Sequence, residues 1–205
     1  MSRIHPSLRI AGVLTVAALV AGCVGGVGAS VAPSPGSSFG DGSCPASPAA
    51  PLPAGETRTV TVETGLGSFV VTVEADLGPL AAGNFVALAA CGFYDGVVFH
   101  RVVPGFVIQG GDPTGRGAGD AGYEYPNDPV TVAYDRGVVA MANHGRDTNG
   151  SQFFIMLAGG PLAPDYSVFG RVTSGMDVVD AIAADADAES PSNPVTMTKV
   201  SVASP

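Results

Sequence analysis

Hydrophobic and polar positions alternate on both sides of a short break: Val60 and Val62 precede Gly65-Leu66-Gly67, and Phe69, Val71 and Val73 follow it. A period of two flanking a glycine-containing turn predicts a two-stranded hairpin. The period then lengthens. Pro79 opens a stretch in which Phe85, Leu88 and Ala89 recur at helical spacing, and Gly92 marks its end. Short apolar runs at Val97–Arg101, Phe106–Gln109, Val138–Ala142, Phe153–Leu157 and Val168–Val172 read as strands. Met176 to Ala184 presents Met176, Val179 and Ile182 on one helical face, and Val195–Val202 predicts a last strand. Eight short strands with one helix early and one late predict a mainly β fold, a closed eight-stranded antiparallel barrel capped by two helices.

This patterning begins only near residue 56, and what precedes it divides in two. Residues 1–22 carry Arg3 and Arg9, an apolar run from Ile10 to Val20, and then Ala21-Gly22-Cys23, the layout of a secretory signal. The apolar core is too short for a permanent transmembrane helix. Its end resembles the bacterial lipobox, in which cleavage leaves a lipid-modified cysteine, here Cys23, as the first mature residue. Residues 23–55 follow as a tether, nearly uncharged and rich in Gly, Ala, Ser and Pro, and this composition predicts disorder. Residues 56–205 form the folded domain, long enough for one well-buried core.

Charge narrows the partners. Without residues 1–22, Lys+Arg falls from 9 to 7 against 18 Asp+Glu, and the net charge moves from −9 to −11. Such a chain lacks the basic footprint of a nucleic-acid binder, so attachment to the outer face of a bacterial cell membrane would rest on the lipid alone. No interface pattern stands out, and a monomer is the default. Gly117 to Gly122 has the spacing of a dinucleotide fingerprint, but Pro126 and Pro129 follow without helical periodicity, so it reads as a surface loop. Asn149-Gly150-Ser151 spells a glycosylation sequon and reads as incidental. Ser151 lacks a nucleophile elbow, and His100, His144 and the cysteines lack ligand spacing, which argues against a hydrolase or a metal site. No cofactor is implied.

Two segments carry the functional signal: VFHRVVPGFVIQGGD from Val98 to Asp112, and VAMANHGRDTNGSQFFI from Val139 to Ile155. Both resemble the signature blocks of the cyclophilin family of peptidyl-prolyl isomerases. The resemblance runs from about Thr57 to Val202 and includes Gly83-Asn84-Phe85 and Val168-Phe169-Gly170-Arg171-Val172. It implies an enzyme that interconverts cis and trans X-Pro bonds, whose substrates are proline-containing polypeptides and, given the signal, exported proteins whose folding it assists.

The barrier to that interconversion is about 20 kcal/mol and arises from amide resonance, so no covalent bond to the substrate is required. A fixed donor that stabilises the twisted amide more than the planar one suffices. The resemblance assigns this role to Arg101, and a permanently charged guanidinium suits it. It places the pyrrolidine socket at Phe106, Val107, Phe154 and Leu162, with plain core as the alternative for each. Backbone recognition falls to Gln109, Asn143 and the main chain of Ala142, with turn-stabilising hydrogen bonds the alternative for the two amides. Phe153, next to Phe154 on a strand, faces the other way into the core.

The chain departs from many relatives across the cleft. It has no tryptophan; Pro161 stands where an indole commonly helps bind cyclosporin, and Tyr166 takes a socket-edge position often held by histidine. Turnover with weak cyclosporin sensitivity is the expectation. A binding module that keeps the proline socket with little turnover is the alternative reading. Outside the cytoplasm Cys44 and Cys91, the pair left once Cys23 is lipidated, are expected to form a disulfide.

Overall fold

The computed structural model describes residues 43–204, so the signal at 1–22, Cys23 and the first part of the tether lie outside the described residues. The hairpin is β1 (Thr57–Thr64) and β2 (Gly67–Glu74), paired with Thr64 opposite Gly67. Val60 lies opposite Val71 and Val62 opposite Phe69, so the alternating residues meet on one buried face.

Helix α1 (Pro79–Ala90) starts with proline at its first turn, where a missing N–H costs nothing. Gly78 precedes it without a capping side chain, and Asp128 caps from a distance: its carboxylate accepts the N–H groups of Leu80 (3.1 Å) and Ala81 (2.9 Å). Residues 81–89 are all buried, because both sides of the helix are covered. One side packs on the sheet, where Phe85 meets Phe153 at 5.2 Å and Phe169 at 4.7 Å. The other side is covered by the chain near Ala50, which approaches so closely that a Cβ on Gly83 would lie 2.1 Å from the Ala50 carbonyl oxygen. Only glycine fits there.

Residues 43–55, assigned to the tether from composition, contain no helix or strand but pack on this helix. Leu52 is buried and donates its N–H to the Pro79 carbonyl (2.9 Å), and a disulfide joins Cys44 to Cys91 just past the end of α1.

The remaining strands are β3 (Arg101–Val103), β4 (Val107–Gly110), β5 (Val138–Met141), β6 (Phe153–Met156), β7 (Val168–Ser174) and β8 (Met197–Val202), with α2 (Met176–Asp185) between the last two. They form one antiparallel sheet in the order β3-β4-β6-β5-β7-β2-β1-β8. The expected closed barrel is therefore corrected: the sheet is an open half-barrel, with β3 and β8 at opposite edges. The run Val97–Arg101, expected as a strand, is irregular until Arg101, and one bridge, Val98 to Thr196, joins the segments ahead of β3 and β8. Beyond that bridge the β3 edge meets a loop instead of a strand, the Val102 N–H reaching the Glu189 carbonyl at 2.8 Å.

The curved sheet has two apolar faces. Phe69, Phe85, Phe99, Met141, Phe153, Ile155 and Phe169 belong to the main core beneath the helices. Val107, Tyr134, Val138, Ala140, Phe154, Met156 and Val168 form a second cluster on the opposite face.

Candidate active site

Strand register builds one row of side chains across that second face. Arg101 lies opposite Gln109, Gln109 opposite Phe154, and Phe154 opposite Ala140. Directly opposed residues point to the same side of a sheet, so one cation, one amide and one aromatic ring stand side by side. Phe106, Ala142, Leu162 and Tyr166 pack as partly buried members of the cluster that contains Val107 and Phe154. The structure thus brings the four residues expected to form a proline socket, Phe106, Val107, Phe154 and Leu162, into one cluster with Tyr166, expected at its edge, and Ala142. Phe154 and Tyr166 meet edge to face with centroids 5.6 Å apart, a favourable aromatic geometry that holds a wall upright.

The polar flank is ordered by one direction of hydrogen bonding. Gln152 donates Nε2 to the carbonyls of Gly117 (3.1 Å) and Gly119 (2.9 Å), so its Oε1 is left to accept from Gln109 Nε2 (2.9 Å). Gln109 then turns its own Oε1 toward Arg101 Nη1, at 3.5 Å a long contact. Arg101 also donates Nε to Glu189 Oε1 at 2.8 Å.

The loop that holds Gln152 is itself wound on a buried carboxylate. Asp112 accepts the N–H groups of Thr114 (2.7 Å), Arg116 (3.0 Å) and Gly117 (2.6 Å), together with the Thr114 hydroxyl (2.8 Å). Burial alone would raise its pKa, but these donors outweigh burial and hold the carboxyl at about 2. Gly119 passes so near that a Cβ there would lie 2.2 Å from Asp112 Oδ1. The Gly117–Gly122 segment is accordingly a helix-free loop tied to the site by backbone carbonyls. His100 lies under it without a hydrogen-bond partner on either ring nitrogen, and burial lowers its pKa, partly offset by the Asp112 charge.

Two expected recognition groups are already engaged. Asn143 Nδ2 donates to the Asp165 carbonyl (2.8 Å) and, more weakly, to Asn149 Oδ1 (3.4 Å), so its side chain braces the segment carrying Tyr166. Ala142 donates its N–H to the Gln152 carbonyl (2.9 Å), so the main-chain group expected to meet a peptide is engaged on its donor side. A shallow recess beyond them is lined by Gln109, Asp120, Asn143, His144 and Gln152 among others.

Gln152, Tyr134 and Glu189 escaped the sequence reading. Gln152 was detectable, because it is two residues from Phe154 and so faces the same side. Tyr134 and Glu189 lie in stretches without periodicity and carried no signal. Among the described residues no group of three or more His, Cys, Asp or Glu side chains is placed to hold a metal, and no helix is long and apolar enough to cross a membrane.

Comparison with known proteins agrees with this geometry. The family model for cyclophilin type peptidyl-prolyl cis-trans isomerases matches residues 59–202. The peptidyl-prolyl cis-trans isomerase CYP18-1 of Arabidopsis thaliana is 45% identical over 129 residues, which cover 60% of this chain and 80% of the relative. The peptidyl-prolyl cis-trans isomerase-like 1 of Gibberella zeae is 40% identical over 129 residues, with the same coverage. A crystal structure of a cyclophilin type isomerase from Cryptosporidium parvum superposes with a TM-score of 0.68 at 32% identity, covering 73% of this chain and 99% of that one. The same Cryptosporidium parvum protein, in a structure determined in the presence of the dipeptide Ala-Pro, gives a TM-score of 0.67. Since the matched residues run from the first strand of the sheet to the last, this chain belongs to the cyclophilin family and is a peptidyl-prolyl cis-trans isomerase.

Proposed function

We propose that Arg101 is the catalytic donor, that Phe106, Val107, Phe154, Leu162 and Tyr166 hold the pyrrolidine ring, and that Gln109 and the Ala142 carbonyl engage the peptide backbone. The row Arg101–Gln109–Phe154 is the observation that carries this reading, because it sets a permanent cation at the rim of an apolar socket. As the X-Pro amide twists, its nitrogen becomes pyramidal and gains a lone pair. A guanidinium N–H aimed at the prolyl residue stabilises that state more than the planar amide. Ala-Pro, the dipeptide present with the Cryptosporidium parvum isomerase, is the smallest substrate of this kind and a suitable probe.

The setting belongs to the same proposal. The signal-like residues 1–22 and Cys23 support export and lipid anchoring at the outer face of a bacterial cell membrane, where a monomeric isomerase would assist exported proteins through slow prolyl steps. Replacing Cys23 with alanine is expected to release the protein from the membrane fraction, and retention there would overturn the anchor.

Isomerisation of a short Ala-Pro peptide by the chain and by Arg101→Ala tests the chemistry. A fall in kcat/KM on the order of 10²-fold is expected on loss of one preorganised donor. Peptide binding without rate enhancement in the parent would favour the binding-module reading instead.

A further inference from the structure

Glu189, in the segment between α2 and β8, grips the edge strand at two points. Its carbonyl accepts the Val102 N–H at 2.8 Å, and its Oε1 accepts Arg101 Nε–H at 2.8 Å. The first contact fixes where the residue sits, and the second fixes what its carboxylate does. On the other side of the guanidinium stands Gln109 Oε1, 3.5 Å from Nη1. A guanidinium has five N–H bonds; with Nε–H on Glu189 and one Nη1–H toward Gln109, three remain, all on the Nη atoms. The group cannot rotate about its final torsions without breaking the Glu189 contact. The side chains of Arg101 and Glu189 are 35% and 61% exposed, and ion pairs this open to solvent contribute little to folding. The consequence of the pair is therefore orientation.

We infer that Glu189 is a positioning residue for the isomerisation: it holds Arg101 by Nε so that the free Nη donors face the socket before a prolyl peptide arrives. A donor set in advance needs no reorganisation as the amide twists, which is where fixed groups gain over mobile ones. This inference rests on the reading of Arg101 as the donor.

The test compares the parent chain with Glu189→Ala, Glu189→Gln, Arg101→Ala and the double variant Arg101→Ala/Glu189→Ala on an Ala-Pro peptide, with thermal unfolding of each. Glu189→Ala is expected to lower kcat by about 5- to 10-fold with KM nearly unchanged, as a misaimed donor would. Glu189→Gln is expected to recover most of the loss, because its amide oxygen still accepts from Nε. In the Arg101→Ala background, removing Glu189 is expected to change nothing further, the mark of a residue that acts through another. Parent-like kcat in Glu189→Ala, an equal loss in both backgrounds, or failure of Glu189→Gln to rescue would each overturn the inference while leaving Arg101 in place. A parent-like rate in Arg101→Ala would overturn the reading beneath it.

Discussion

The Tyr134 hydroxyl holds Tyr166 by both of its backbone groups, donating to its carbonyl at 2.9 Å and accepting its N–H at 3.1 Å. Tyr134 is buried and its ring also packs edge-on against Tyr166, with centroids 6.4 Å apart. The position of Tyr166, which meets Phe154 edge to face, is thus set by a residue distant in sequence. Tyr134→Phe keeps the ring and removes both hydrogen bonds. It is expected to cost about 1–3 kcal/mol of stability and to raise KM for Ala-Pro peptides more than it lowers kcat. Denaturant titration and steady-state kinetics check both; an unchanged KM would mean that Tyr166 does not border the bound proline.

Gln152 orients Gln109 because its own donors are engaged by the Gly117 and Gly119 carbonyls. Gln152→Glu removes those donors and places a carboxylate against the glycine carbonyls. A fall in kcat/KM by about 10-fold is expected, with little added loss when Gln109→Ala is combined with it, since residues in one hydrogen-bond network are not additive. A full multiplicative loss would separate the two residues.

Asp112 links the loop around the site to pH. Its pKa falls from 3.8 in the unfolded reference to about 2 in the fold, so the native state favours the carboxylate. The resulting stabilisation, about 2 kcal/mol, is present above pH ~4 and is lost as pH falls toward 2, because the unfolded chain binds the proton first. His100 adds a separate slope: its folded pKa lies below 6.5, so the unfolded state gains protons first and stability declines as pH drops below that value. Unfolding titrations across pH are expected to show both regions; Asp112→Asn is expected to remove the more acidic one and, by taking away the charge that supports the imidazolium, to deepen the His100 one.

The disulfide joins residues 43–55 to the end of α1 in addition to their packing on it. Reduction, or Cys44→Ser with Cys91→Ser, is expected to lower stability by about 3–4 kcal/mol on the chain-entropy model for a 47-residue separation. Amide hydrogen exchange is expected to rise at Leu52, whose N–H bonds to the Pro79 carbonyl, before it rises in the sheet. Exchange that stays protected there after reduction would show that packing on Gly83 alone holds the segment.

Side-chain alternation alone separates Phe153, in the main core, from Phe154, on the site face, and the same rule would have placed Gln152 beside Phe154. The hairpin, both helices and most strands were legible for this reason: periodicity records which side of an element must leave water, a property carried by neighbours in sequence. The signature blocks added the family and the candidate residues for a socket.

Contacts between distant segments were not legible. Whether β3 pairs with β8 depends on what else can satisfy the edge, and here Glu189 reaches it from a loop with no pattern. The proline- and alanine-rich residues 43–55 read as disordered because they cannot bury themselves, yet Gly83 leaves room for them on α1 and Cys91 ties them there. Asn143 shows the same division, its side chain bracing Asp165 where sequence alone left recognition and bracing open. The amino-acid sequence by itself determined the local elements, their buried faces and the family. The tertiary structure alone decided the open edge, the packing of residues 43–55 and the supports of Arg101 and Tyr166, since each depends on a partner group that only folding brings within a few ångströms.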